Sequence, residues 1–170
     1  TGTNNNFAGG IVGYSYSGKI KNCAVTGTVS ASGGRQSECG GIAGYGGGTQ
    51  VIENCSSAAA ASATGSSIAN ECGGIIGVSY YGSISNCFNT GSAAVSNNSG
   101  ASNYACGIAG AASYAAITNC YSLNSGIVME GITGAVNCAS FTEAQGKGTD
   151  STFSYTIGTG DNAVTINSST

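Results

Sequence analysis

Gly9-Gly10-Ile11-Val12-Gly13-Tyr14, followed by Gly18-Lys19-Ile20-Lys21-Asn22-Cys23, is the stretch that decides the fold, because both halves of it recur along the chain. Gly-Ile-x-Gly returns as Gly41-Ile42-Ala43-Gly44, Gly74-Ile75-Ile76-Gly77, Gly107-Ile108-Ala109-Gly110 and Gly131-Ile132-Thr133-Gly134. Each is followed by an Asn-Cys pair: Asn22-Cys23, Asn54-Cys55, Asn86-Cys87, Asn119-Cys120 and Asn137-Cys138. These cysteines advance by 32, 32, 33 and finally 18 residues. A fixed period of this size marks a solenoid in which each unit buries its apolar face against its neighbours.

Within a unit the pattern is that of strands. A β-branched residue between glycines suits a short strand bounded by tight turns. Ile20, Ile52, Ile84, Ile117 and Val136 precede the cysteines, and the intervening Asn is the corner, since Asn tolerates left-handed backbone. A third apolar segment follows, as at Val25 to Val29. No helical periodicity occurs. The expectation is an all-β, right-handed parallel β-helix of about five rungs of about 32 residues each, built from three strands per rung. Its interior columns would be Ile11, Ile42, Ile75, Ile108 and Ile132, and Ile20, Ile52, Ile84 and Ile117. The unequal segments 32–38, 62–70 and 97–105 read as protruding loops. Residues 7–138 make up the solenoid and 139–170 an irregular C-terminal cap or linker to a following module.

Composition excludes several functions. Of 170 residues, 30 are glycine, none is proline, histidine or tryptophan, and 6% are charged. The bases Lys19, Lys21, Arg35 and Lys147 are scattered, so no patch exists to follow a nucleic-acid backbone. No apolar run approaches the ~20 residues of a membrane span. Zinc would need Cys-x-x-Cys or histidine, and repeated calcium sites would need more aspartates than Asp150 and Asp161, so neither metal nor cofactor is expected. The chain reads as a piece of a longer exported protein, extracellular or on the cell surface.

Two ladders and one edge are the candidate sites. Asn22, Asn54, Asn86, Asn119 and Asn137 form a structural amide ladder, each side chain bonding its neighbours on adjacent rungs. Cys23, Cys55, Cys87, Cys120 and Cys138 stack beside them; parallel Cβ vectors ~4.8 Å apart do not suit a disulfide, which wants ~3.8 Å and convergent vectors, so these are buried reduced thiols. In a second set Cys39 and Cys72 coincide and Cys106 slips by one. Tyr14, Tyr16, Tyr45, Tyr80, Tyr81 and Tyr114 follow the Gly-Ile-x-Gly segments and converge on one edge. Such an edge is either an aromatic ladder guarding the turn or a binding surface. Glu38, Glu53, Glu71 and Glu130 show no close pair within one strand, and with histidine absent no catalytic activity is expected.

The segments Gly9–Tyr14 and Gly18-Lys19-Ile20-Lys21-Asn22-Cys23-Ala24-Val25-Thr26-Gly27 resemble the GLUG-motif repeats of bacterial surface proteins, and Gly82-Ser83-Ile84-Ser85-Asn86-Cys87-Phe88-Asn89-Thr90-Gly91 matches the same pattern. The resemblance implies a secreted or wall-attached adhesin whose repeats are non-catalytic and meet glycans or proteins. A metallopeptidase module, which accompanies such repeats in some proteins, is not written here, since His-Glu-x-x-His needs histidine. Two alternatives remain: a filament subunit that self-associates end to end, and a polysaccharide-acting β-helix enzyme, for which fold analogy alone is no support.

Overall fold

The computed structural model describes residues 4–65, 68–96 and 102–123, together with the strand segments 135–136, 139–141, 154–157 and 164–167. All of the regular structure in them is β-strand. The first rung contains β1 (Asn6–Gly9), β2 (Val12–Ser15), β3 (Lys19–Lys21) and β4 (Ala24–Ser32). The second contains β5 (Gln36–Gly40), β6 (Ala43–Gly46), β7 (Val51–Glu53) and β8 (Ser56–Thr64). The third contains β9 (Ala69–Gly73), β10 (Ile76–Tyr80), β11 (Ser83–Ser85), and β12 (Phe88–Asn89) with β13 (Ala93–Ser96). Then come β14 (Ser102–Cys106), β15 (Ala109–Ser113), β16 (Ala116–Thr118) and β17 (Tyr121–Leu123). Each strand pairs in parallel with its counterpart one rung away, giving faces β1-β5-β9-β14, β2-β6-β10-β15, β3-β7-β11-β16 and a fourth through β4, β8 and β17. The chain is therefore a parallel β-solenoid of about three turns.

Four strands per rung replace the expected three. The additional strand lies before the Gly-Ile pair, which is itself a bend between the first and second faces. Glycine is required there by close approach. A Cβ on Gly40 or Gly73 would collide with the carbonyl oxygen of Ala43 or Ile76 three residues on. The next corner but one is made by asparagine: Asn22, Asn54, Asn86 and Asn119 all have φ between 52° and 56°. Asn is among the few residues with a side chain that adopt this region readily.

Inside the coil, Ile42, Ile75 and Ile108 are 0% exposed and Ile52, Ile84 and Ile117 at most 1%. The second set pairs in strict register, Ile20 with Ile52, Ile52 with Ile84 and Ile84 with Ile117. A second, smaller core of Ala31, Cys39, Ala61, Ala63 and Cys72 fills the region between the first and fourth faces. Buried polar side chains close on themselves: Asn89 accepts from the Gly91 amide and donates to the Gly91 carbonyl, both at 3.0 Å. This spares the interior an unmet hydrogen bond.

Four expectations change. Ile11 is 50% exposed, because it sits in the first described rung and has a neighbour on one side only. Val136 pairs with Thr118, and it is Ala135 that takes the place opposite Ile117. Much of the segments 32–38, 62–70 and 97–105 is strand, since β4 and β8 run for nine residues each and β5, β9 and β14 begin early. The described coil makes about three turns, not five rungs; β18 (Ala135–Val136) and β19 (Ala139–Phe141) extend two faces, while Ile132, Asn137 and Cys138 lie outside the described residues. Farther on, β20 (Ser154–Ile157) and β21 (Val164–Asn167) form an antiparallel pair. No pairing of these two strands with the coil is seen among the described residues, so the expected cap is not shown.

Truncation should separate the two kinds of isoleucine. Ile75→Ala is expected to cost about 2–5 kcal/mol in urea unfolding, as for other fully buried aliphatic side chains. Ile11→Ala should change stability by less than about 1 kcal/mol.

Candidate functional site

The asparagine corners carry a continuous amide ladder. Asn54 donates its Nδ2 to Asn22 Oδ1 at 3.3 Å, Asn86 to Asn54 at 3.2 Å and Asn119 to Asn86 at 3.0 Å. The cysteines beside them point inward. Cys55, Cys87 and Cys120 are buried, and each thiol donates to the carbonyl two residues earlier at 3.2–3.3 Å. All seven described cysteines are free. Cys39 and Cys72 are in register, whereas Cys106 stands opposite Gly73, taking a glycine place in the rung. Burial pushes the Cys106 thiol up to about 11, so it is an inert apolar filler rather than a nucleophile.

The tyrosines gather on and beside the second face, but in two groups. Tyr14 and Tyr45 pair across β2 and β6 with rings stacked 5.1 Å apart and planes within 4°. Phe7 leans on both, at 5.3 and 5.5 Å. Tyr81 and Tyr114, both at left-handed corners with φ 60° and 54°, stack 4.9 Å apart, and Tyr80 tilts onto Tyr81 at 6.0 Å. Tyr16 lies beside Tyr45, the two rings facing Gly47. A single stripe is interrupted because Val78 and Ala111 continue the Tyr14–Tyr45 column on the later rungs.

Between the first and second faces runs a groove of about 720 Å³. One wall carries the register column Phe7, Glu38, Glu71 and Tyr104. Facing it are Tyr14, Tyr45 and Tyr80, and no lysine or arginine lines it. Glu38 and Glu71 are thus lateral neighbours on adjacent strands. Glu38 is 2% exposed, and its Oε2 has no hydrogen-bond partner. Burial first, then the charge of Glu71, pushes the Glu38 carboxyl up to about 8, so near neutral pH it is held as the acid. Burial also raises the Tyr45 hydroxyl, with Tyr14 and Glu38 adding to the effect.

This carboxyl pair escapes a reading that looks for acids within one strand. The signal was nevertheless present: Glu38-Cys39-Gly40-Gly41 and Glu71-Cys72-Gly73-Gly74 recur 33 residues apart, one rung period. Residues one period apart become lateral neighbours in a solenoid. Elsewhere Lys21 and Glu53 form an ion pair across β3 and β7 on the third face, where solvent leaves it worth little.

Fold, ladder and corners define a repeat protein of the parallel β-solenoid class. Within that class, the family model described as the GLUG motif matches residues 4–30, which cover β1 to β3 and most of β4. No curated protein and no solved structure matches the chain.

Two measurements follow from this geometry. Glu38 binds its proton more tightly folded than unfolded, so stability is greatest below about pH 4.5, falls as pH rises towards about 8 and levels off above that. Urea midpoints at intervals across this window should show the decline, and Glu38→Gln should flatten it. Separately, alkylation in denaturant without reductant should label all eight cysteines by intact mass, as expected for thiols that are not cross-linked.

Proposed function

We propose that the chain is a non-catalytic structural and adhesive repeat module of an exported bacterial surface protein, presenting its tyrosines to a glycan or protein outside the cell. The supporting observation is the exposure of the rings: Tyr14 51%, Tyr16 65%, Tyr81 61% and Tyr114 70%, on a body whose aliphatic core is sealed. Large amphipathic rings on rigid corners offer contact area at low entropic cost. The repeat fold and the GLUG motif are in keeping with a scaffold that spaces and displays such a surface.

A second reading, an end-to-end filament, draws support from the first rung, where Ile11 is exposed and Val12, Ile20, Cys23 and Val25 are only partly covered. Open solenoid ends invite a further rung. The enzyme reading gains the Glu38–Glu71 pair but is opposed by the burial of Glu38, which withholds its proton from a glycosidic oxygen at the surface.

The ring surface is tested by Tyr81→Asn with Tyr114→Asn, asparagine being chosen because it keeps the left-handed corners. Loss of glycan-array or cell-surface binding, with unchanged circular dichroism, is the expected result. Undiminished binding would move the contact away from this edge, and filaments in electron micrographs of the wild-type chain would favour the second reading.

A further inference from the structure

We propose that the groove between the β1-β5-β9-β14 and β2-β6-β10-β15 faces binds a cationic amino-sugar chain, with an ammonium group at the Glu38–Glu71 pair and sugar faces against Tyr14, Tyr45 and Tyr80. This deepens the glycan half of the proposed function and rests on that reading.

Three independent observations converge on a cation. The groove places two carboxyl groups side by side on adjacent strands, and no cationic side chain lines it. Glu38 is 98% buried by its 2% exposure, lines the groove, and leaves Oε2 without a partner, an arrangement that costs about 1–3 kcal/mol unless something offsets it. The opposite wall is aromatic, and ring faces attract ammonium groups as well as the C–H faces of sugars. One positive charge at this position meets all three features at once. Glu71, the more exposed of the two acids, makes the direct contact, and Glu38 lies beneath it.

A sugar chain fits better than a lysine side chain. At about 720 Å³ the groove has the volume of a site for an extended ligand, and its aromatic wall runs along the coil axis from β2 to β10. A single flexible lysyl stem would leave most of that wall uncovered.

The site predicts proton release. The titratable groups facing Glu38 are Glu71 from β9, Tyr14 from β2, Tyr45 from β6 and Tyr80 from β10, and all of them are acids. An ammonium beside Glu71 removes the repulsion that holds the proton on Glu38, so binding near neutral pH expels part of a proton to the buffer.

Calorimetric titration of the full chain with a glucosamine tetramer, in two buffers of different ionisation enthalpy, tests this. The expected result is binding with a buffer-dependent enthalpy, on the order of tenfold weaker for Glu71→Gln, and no buffer dependence for Glu38→Gln. The N-acetylated tetramer should bind at least tenfold more weakly. Equal binding of the acetylated tetramer, tighter binding of tetralysine, or no binding of the glucosamine tetramer would each overturn the proposal. Binding of some other glycan lost in the Tyr81→Asn, Tyr114→Asn variant would leave the display function standing without this site.

Discussion

Registry between rungs is the constraint on which everything else here depends. Every described strand of the coil pairs in parallel with a strand about 32 or 33 residues away, and one residue of slip would turn each strand's inward side chains out. Three devices hold that registry. Isoleucine columns fill the interior, glycine corners let backbone segments approach closely, and asparagine corners combine a fixed left-handed turn with a side-chain bond to the next rung. Exposed amide bonds are individually weak, so the ladder acts mainly by penalising misalignment.

That economy explains the composition. A solenoid of short strands has a narrow interior, and where the first and fourth faces converge only Ala and Cys fit, as at Ala31, Cys39, Ala61, Ala63 and Cys72. Charge has little structural use on such a body. The few ionisable groups that do occur therefore dominate their surroundings: Glu38 is shifted by several pH units with no more than burial and one neighbouring acid.

Much of this was legible in the sequence because a period is a long-range signal. The parallel coil, the Asn column with its left-handed corners, the free thiols and the slip of Cys106 all follow from counting residues between repeats. What counting did not reveal was where a rung folds. The Gly-Gly-Ile segment looks like the middle of a strand but is a bend, and the strand before it, with Ser37 and Glu38 inside, was read as a surface loop. Composition misled there, since Ser, Asn and Glu signal loops only when their neighbours do not bury them. Ile11 was assigned by analogy with Ile42, yet burial depends on having a rung on either side. The tyrosines were correctly gathered in one region, but their division into two stacks depends on which rung carries Val78 or Ala111 instead.

The asparagine ladder also gives the coil a direction. Each amide donates to the rung before it and accepts from the rung after it, from Asn119 through Asn86 and Asn54 to Asn22, so the side-chain dipoles align head to tail. Aligned hydrogen bonds polarise one another, which makes the column cooperative along its length. Asn22 ends it with its amide donor outward. A rung joining at that end continues the series only by offering an acceptor, and two coils meeting through their first rungs would bring donor against donor. Stacking of these coils is therefore vectorial: one polarity extends the column, and the other breaks it.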